Sequence, residues 1–331
     1  MIKGAIHMLK WLVLSLVLVM ALAIWYLWDI YTEPVQLGSR VVTVILKPGD
    51  TFWNVADTLY VEGVVRSRRL LVYQARLWGL DKRLSPGRYD FTGRQSYESV
   101  LSKFRDADIV RIRVTVPEGA TVWRVASILS DRLKVDSAAL VDMNSDRPFL
   151  DSLGLPSLEG YLFPETYVFD WGTTLREAVI RMVRQWEKET AGLWRGEFPN
   201  RLSVHEIMVM ASIVESETRV SHERKMVSSV YHNRLRLRMK LDADPTVIYG
   251  LGGNDRKLSK TDLKLETPYN TYVKRGLPPN PINSPGLESI RAALSPAQTD
   301  FLFFVADNSG GHFFAKTNEE HNLNRLRART E

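Results

Sequence analysis

The sequence predicts an α+β protein with an N-terminal transmembrane helix, a membrane-proximal α+β region and a mixed α/β distal half. Three observations support this: an uncharged apolar run near the start, a strand–turn–helix pattern that occurs twice, and a distal helix with an apolar face. We expect the following segments: a short tail (residues 1–10), a transmembrane helix (11–28), a linker (29–39), a repeat domain (40–155) and a distal domain (156–331).

The first element is the apolar run at residues 11–28, which contains no charged side chain. A helix of that length spans roughly 27 Å, close to the thickness of the hydrocarbon core of a bilayer. Lys3 and Lys10 precede the run, whereas Asp29 and Glu33 follow it. The positive-inside rule therefore predicts a cytoplasmic N-terminus, a single span of the inner membrane and a periplasmic location for the bulk of the chain.

A cleaved signal peptide is the alternative, because residues 21–23 (ALA) imitate a small-x-small cleavage site. Beyond that site, however, the apolar run continues through Trp28, where a mature N-terminus would normally become polar. The aromatic side chains at this end suit a membrane–water interface, which favours an uncleaved anchor.

Composition excludes several classes of protein. The 331 residues contain no cysteine, so disulfides and thiol chemistry are absent. We find no histidine or carboxylate cluster at metal-ligand spacing and no glycine-rich phosphate loop, and we expect neither metal nor cofactor. The net charge of +6 would suit a nucleic-acid binder, but the basic residues are spread along the chain. A surface facing anionic lipids or an acidic polymer explains the charge better.

The proximal half contains an internal repeat. Residues 48–56 (PGDTFWNVA) and 118–126 (EGATVWRVA) align at an offset of 70 residues, and each copy follows an alternating run typical of a strand. In each copy a Gly-containing turn leads to a threonine, Thr51 or Thr121, that can cap a helix. Both copies therefore predict a strand, a turn and a helix.

This pattern resembles half of a LysM-like glycan-binding module. Trp53 and Trp123 occupy matched positions, and we expect them to pack on the preceding strand from the same helix side as Leu59 and Leu129. A sugar-binding role for the two tryptophans is the alternative.

The distal helix carries the most informative residue, Glu215. Ser203 and Glu206 form a capping-box pattern at its start, and apolar residues recur from Ile207 at the i, i+3, i+4, i+7 spacing. Glu215 falls on or beside that apolar face, where lost hydration would raise the pKa of its carboxyl and make it a general acid. The alternative is an exposed carboxylate at the end of the helix.

Six further segments accompany the Glu215 segment in a fixed order and spacing. The segments, with the Glu215 segment second, are residues 159–167 (EGYLFPETY), 209–218 (VMASIVESET), 231–235 (YHNRL), 244–250 (DPTVIYG), 267–272 (TPYNTY), 276–282 (GLPPNPI) and 311–314 (GHFF). Together they closely resemble the YceG-like family, the endolytic murein transglycosylases, over roughly the last half of the chain.

The resemblance implies a lytic transglycosylase, a carbon–oxygen lyase acting on polysaccharides. It implies cleavage of the MurNAc–GlcNAc β-1,4 bond in nascent peptidoglycan strands, with 1,6-anhydro-MurNAc ends that terminate strand elongation. Glu215 matches the catalytic glutamate of the family, which serves first as acid and then as base. The family also implies a LysM-like domain between anchor and catalytic region, with peptidoglycan synthases (penicillin-binding proteins) as partners.

Further candidates come from the same segments. As substrate-binding residues we consider Glu217, Asn233, Thr246, Tyr249, Tyr269, Asn270, Tyr272 and His312. Helical spacing turns Glu217 about 200° away from Glu215, which suggests an auxiliary or structural role. Tyrosines and asparagines supply the flat faces and hydrogen-bonding groups that saccharides require, although packing or anchoring is an equal alternative.

One position departs from the family pattern. Family members commonly have Gln and then Ser or Thr before Asp-Pro-Thr, whereas this chain has Asp242 and Ala243. The change adds a negative charge and removes a hydroxyl near the expected groove, which affects subsite assignments but not the reaction class.

Three other functions compete with this interpretation. A lysozyme-like hydrolase would use water and leave reducing ends, whereas a non-catalytic cell-wall binding or scaffold protein would not need Glu215. A membrane-anchored nucleic-acid binder is disfavoured by the topology that the anchor implies.

Overall fold

The computed structural model describes residues 2–80, 83–253 and 257–330. The chain divides into two compact units: the proximal unit, Met1–Ile112 with Asp170–Gly172, and the distal unit, Arg113–Phe169 with Thr173–Glu331. The boundary expected between residues 155 and 156 differs from this division, which places residues 113–155 in the distal unit. Among the described residues, helices alternate with four two-stranded sheets, so the α+β class is confirmed.

The first helix, α1, runs from Ile2 to Thr32. Within it, Lys10–Thr32 is the one helical stretch of the described chain that is long and apolar enough to cross a membrane, and none of it is buried in the protein. A membrane anchor and a signal sequence both fit this observation.

The end of α1 packs on the proximal unit. Tyr31 stacks on Tyr97 with ring centroids 6.0 Å apart. Arg66 pairs with Asp29 at 3.5 Å and with Glu33 at 2.8 Å. The segment expected to be a linker therefore begins as helix and is bonded to the unit that follows.

The proximal unit has a small antiparallel sheet covered by three helices. Strand β2 pairs with β3 in the register Val42↔Phe91 to Leu46↔Gly87, and alternate residues of β2 are buried. The elements are β1 (Val35–Gln36), β2 (Val42–Leu46), α2 (Phe52–Val61), α3 (Arg68–Leu77), β3 (Gly87–Phe91), β4 (Arg94–Gln95) and α4 (Tyr97–Arg105).

The distal unit is mostly helical, with the pairs β5–β6 and β7–β8. The chain passes from one unit to the other within the β5–β6 pair. The elements are β5 (Arg111–Thr115), α5 (Val122–Leu133), α6 (Ser137–Met143), α7 (Arg147–Ser152), β6 (Thr166–Asp170), α8 (Leu175–Thr190), α9 (Val204–Glu217), α10 (Arg224–Arg236), α11 (Asp244–Gly250), α12 (Leu287–Leu294), β7 (Phe303–Ala306), β8 (His312–Ala315) and α13 (Asn318–Thr330).

Both copies of the repeat form the predicted strand, turn and helix. The Thr51 side chain accepts a hydrogen bond from the backbone of Asn54 at the start of α2, and Thr121 does the same for Arg124 at the start of α5. The first copy lies in the proximal unit, whereas the turn and helix of the second lie in the distal unit.

The predicted packing of the two tryptophans is wrong. Leu59 and Leu129 are fully buried, but Trp53 is 44% exposed and Trp123 is 37% exposed. The reason is helical geometry, because each tryptophan lies two positions before a buried valine and therefore about 200° round the helix from it. Trp53 lies beneath the Arg68 guanidinium instead.

Helix α9 lies in the core of the distal unit. Its capping box is present as predicted, with Ser203 and Glu206 bonded to each other's backbone N–H groups. Residues 207–214 are all buried, so the helix is covered on every side rather than on one apolar face. Contacts from α10, α11 and α12 account for this burial.

The division into units predicts which fragments fold. A fragment of residues 156–331 lacks β5 and α5, whose buried Val125 and Leu129 are part of the distal unit. We expect this fragment to lack a cooperative thermal transition by circular dichroism. The loss of so many buried apolar side chains costs more free energy than the typical free energy of unfolding of a domain. A matched fragment of residues 110–331 keeps the whole of β5 and should unfold cooperatively. Equal melting behaviour of the two fragments would contradict the observed boundary.

Candidate active site

A groove of about 640 Å³ lies within the distal unit. Its walls come from the turn before α5, the end of α9, the starts of α10 and α11, and the loop before α12. We call this space the groove. Among the sequence candidates, it brings Glu215 and Tyr249 together.

Glu215 extends from the last turn of α9 into the groove, with a side chain only 7% exposed. Its Oε2 accepts a hydrogen bond of 2.9 Å from the backbone N–H of Gly286, which precedes α12. Its Oε1 lies 3.4 Å from Nη2 of Arg224 on α10. The carboxyl group is therefore held by a backbone donor and a cation as well as by apolar surface.

The loop of residues 282–286 is bonded to α9 beside this carboxyl. The Asn283 side-chain amide donates to the Ser212 carbonyl at 2.9 Å and to the Ser216 hydroxyl at 2.7 Å. The Ile282 N–H donates to the Ser212 hydroxyl at 3.0 Å. These bonds fix the loop against the last two turns of the helix and bring Gly286 to Glu215.

The same loop holds the turn before α5. Gly119 donates its N–H to the Ser284 carbonyl at 2.8 Å, and Ser284 donates its N–H to the Ala120 carbonyl at 2.9 Å. This bridge places Glu118 at the groove, where a side chain at position 286 would overlap its carboxylate. A glycine at position 286 leaves that space free.

Glu118 is a second carboxylate in the groove that sequence reasoning missed. Its side chain is about half exposed, and its Oε2 lies 3.7 Å from Arg224 Nη2. Burial raises the pKa of the Glu118 carboxyl, the charge of Glu215 raises it further, and Arg224 lowers it. The alignment of the two repeat copies could have pointed to Glu118, because this glutamate replaces Pro48 of the first copy and so departs from the shared pattern.

Tyr249 connects the groove to a buried carboxyl. Its ring packs between Trp123 and Tyr269, at centroid distances of 5.0 and 4.8 Å. Its hydroxyl donates to Glu159 at 2.9 Å, and the N–H of Val122 at the start of α5 also donates to Glu159. Burial raises the pKa of Glu159 to about 7, although both hydrogen bonds lower it.

Glu217 and Tyr272 line a second cavity of about 430 Å³, with Asp242 and Asp244. The Tyr231 hydroxyl donates to Glu217 at 2.6 Å, and burial raises the pKa of Glu217 to about 7. Tyr272 donates its hydroxyl to Asp244 at 2.6 Å. Glu217 thus faces away from Glu215, as the helical spacing predicted.

The unusual Asp242 belongs to this second cavity rather than to the groove. It pairs with Arg234 at 3.2 Å. The neighbouring Ala243 is buried, and its N–H donates to the Thr271 hydroxyl at 3.0 Å. The added charge is therefore balanced by a cation of α10.

Two candidate asparagines are bonded to backbone. Asn233 donates to the carbonyls of Thr299 and Phe301, which fixes the segment before β7 to α10. Asn270 donates to the Leu265 carbonyl at 2.7 Å within its own loop. Neither side chain lines the groove.

Thr246 and His312 have internal partners as well. Thr246 is fully buried, and its hydroxyl donates to the Ala243 carbonyl. His312 Nδ1 lies 2.6 Å from Glu223 Oε2, which ties β8 to the start of α10. Within the described ranges, no group of three or more metal-ligating side chains is placed to hold an ion.

Comparison with known proteins gives a consistent result. The model of the YceG-like family matches residues 44–327. The endolytic murein transglycosylase of Bacillus subtilis is 31% identical over 309 residues, which cover 88% of this chain and 86% of that protein. That of Streptococcus pneumoniae D39 is 26% identical, and the match spans 59% of its length.

A solved structure agrees with these matches. The crystal structure of a YceG-like protein from Listeria monocytogenes aligns with a TM-score of 0.58 and 29% identity. The alignment covers 86% of this chain and 98% of that one.

The buried Glu159 predicts a pH dependence of stability. Because its pKa is raised to about 7, the folded chain holds a proton that the unfolded chain releases, so stability falls as pH rises from about 5 to 7. Glu159→Gln keeps an acceptor but cannot titrate, and should reduce this fall by about 1–3 kcal/mol. Denaturant unfolding of the full chain in detergent measures it. Glu187→Gln, on an exposed position of α8, is the control, and identical slopes in both variants would contradict the assignment.

Proposed function

The chain belongs to the YceG-like family, and from that membership and the groove we propose that it is an endolytic peptidoglycan lytic transglycosylase. The observation that carries the proposal is Glu215, an almost fully buried carboxyl that reaches the groove from a core helix. A desolvated carboxyl in a cleft is the usual form of a general acid in glycan cleavage.

In the proposed reaction, Glu215 donates its proton to the glycosidic oxygen as the bond from C1 of MurNAc breaks. The resulting carboxylate accepts the proton of the C6 hydroxyl of the same sugar, while that oxygen bonds to C1. The products are a GlcNAc with a free 4-hydroxyl and a 1,6-anhydro-MurNAc end, and no water is consumed. The nucleophile is part of the substrate, so its effective concentration is high.

The surroundings of Glu215 support this cycle. The Gly286 N–H and the Arg224 guanidinium both stabilise the carboxylate that forms after the first proton transfer. Because α9 is buried on all sides, the carboxyl stays fixed relative to the groove.

The aromatic side chains supply a surface for sugar rings. We assign substrate contact to Tyr249, which lines the groove, and a supporting role to Trp123 and Tyr269, which pack against its ring. The other candidates do not line the groove and have internal partners, and we assign them to the framework of the site. They are Glu217, Asn233, Thr246, Asn270, Tyr272 and His312.

A hydrolase remains the second candidate because of Glu118. The Glu118 and Glu215 carboxylates approach the same Arg224 nitrogen, so the oxygens that contact it are no more than about 7 Å apart. An acid and a nucleophile act at about 5–5.5 Å and an acid and a base at about 6.5–9.5 Å, and an upper bound of about 7 Å is compatible with both. The chemistry of the new glycan end separates the two reactions.

The proposed location is based on α1 and on the charges that flank its apolar run. We place the protein in the inner membrane with a cytoplasmic N-terminus and a periplasmic bulk, where new glycan strands emerge. Trp25, Tyr26 and Trp28 are all exposed at the distal end of the apolar run, as an interfacial aromatic belt would be. Peptidoglycan synthases are the partners that this location suggests.

The proximal unit has a proposed glycan-binding role of LysM-like type. Trp53 supports it, because the ring is 44% exposed and lies beneath the Arg68 guanidinium. A partly exposed aromatic ring next to a guanidinium suits a saccharide.

Product analysis tests the reaction directly. Mass spectrometry of purified glycan strands treated with the protein should show 1,6-anhydro-MurNAc ends, and reducing ends would instead establish hydrolysis. Glu215→Gln cannot cycle a proton and should reduce turnover at least about a hundredfold. Glu217→Gln is the matched comparison from the same helix and should lose far less. Near-normal turnover of the Glu215 variant would remove this residue from catalysis.

The anchor is tested by topology. A reporter fused after Pro34 should be active in the periplasm, and the intact mass of the mature protein should include its N-terminal residues. A mass that matches cleavage after Ala23 would show a signal peptide instead.

A further inference from the structure

Two carboxylates in the groove share one guanidinium nitrogen. Arg224 Nη2 lies 3.4 Å from Glu215 Oε1 and 3.7 Å from Glu118 Oε2. Charge-assisted hydrogen bonds are shorter, at about 2.7–2.9 Å. The guanidinium therefore makes a long hydrogen bond to Glu215 and an ion pair without a hydrogen bond to Glu118.

The remaining donors of Arg224 do not fix it on either acid. Nη1 donates to the Ser221 hydroxyl at 3.1 Å, whereas Nε is buried without a hydrogen-bond partner among the described residues. The side chain as a whole is only 9% exposed. A buried guanidinium with an unused donor lacks the bonds that would hold it in one place.

We propose that Glu118 is a positioning residue that competes with Glu215 for Arg224 and thereby lets Glu215 alternate between acid and carboxylate. This inference rests on the proposed single-glutamate reaction. With Arg224 on Glu118, the Glu215 carboxyl keeps only the Gly286 N–H as a donor. After Glu215 protonates the glycosidic oxygen, its new negative charge draws Arg224 back until the C6 hydroxyl returns a proton.

The charges around the pair are consistent with this exchange. Arg219, after α9, lines the groove as a second cation. Glu288 on α12 raises the pKa of Glu118, after the larger effects of burial and of Glu215 and against Arg224. Glu288 has its own partner in Arg291, at 2.8 Å.

The test is a pH profile of strand cleavage by the full chain. Glu118→Gln leaves Arg224 to Glu215 alone, so kcat should fall about tenfold at pH 7 with KM within about twofold. The alkaline limb of kcat should move to lower pH, because the neighbouring negative charge that favoured the protonated acid is gone. Glu118→Asp keeps the charge and should restore the position of that limb. Glu187→Gln matches the change in net charge at an exposed position of α8 and should follow the wild type.

Three outcomes would overturn the proposal: a wild-type profile for Glu118→Gln, a lower kcat with an unmoved alkaline limb, or no restoration by Glu118→Asp. A crystal structure of Glu118→Gln gives a readout without turnover, because Arg224 should close on Glu215 to less than the present 3.4 Å. An unmoved Arg224 would refute the competition even if the wild type cleaved no glycan. Anhydro ends from the wild type would keep the proposed function whatever the Glu118 variants show.

Discussion

The hydrogen bonds between the 282–286 loop and α9 are the constraint on which the groove depends. Through Asn283, the loop is bonded to the Ser212 carbonyl and the Ser216 hydroxyl, and through Gly286 to the Glu215 carboxylate. Through Ser284 it pairs with the backbone of the turn that carries Glu118. One short loop therefore sets the position of both acids, and a shift of the loop would separate them.

The two copies of the repeat show how one local pattern serves two purposes. In the first copy, Pro48 precedes the glycine, and the helix completes the core of the proximal unit. In the second copy, Glu118 precedes the glycine and reaches the groove. At the first turn of the second copy's helix, the N–H of Val122 donates a hydrogen bond to the buried Glu159. The same strand–turn–helix pattern thus contributes to the core in the proximal unit and places a carboxylate in the groove of the distal unit.

Local features of the fold could be predicted from the sequence because their causes are local. The caps at Thr51, Thr121 and Ser203 each depend on a side chain and a backbone N–H three residues away. Glu215 could be singled out as a candidate for the same reason, since its motif lies within one helix. The side on which Trp123 lies was misjudged because alignment of two copies does not show which helix face is buried.

Other parts of the site could not be predicted because they join distant residues. Arg224 and Gly286 meet Glu215 across 9 and 71 positions of the chain, and no periodicity encodes such contacts. Burial of α9 on all sides likewise results from three packed helices rather than from its own pattern. Glu118 was missed because the repeat suggested a separate domain.

Because α9 has no exposed face over residues 207–214, its hydrogen bonds break only when the surrounding helices come apart. Local unfolding of α9 therefore requires nearly the whole free energy of unfolding of the distal unit. The 281–286 loop that contacts Glu215 is buried as well, whereas residues 117–119 of the turn that carries Glu118 are exposed. The fold therefore protects the position of Glu215 more strongly than the position of Glu118.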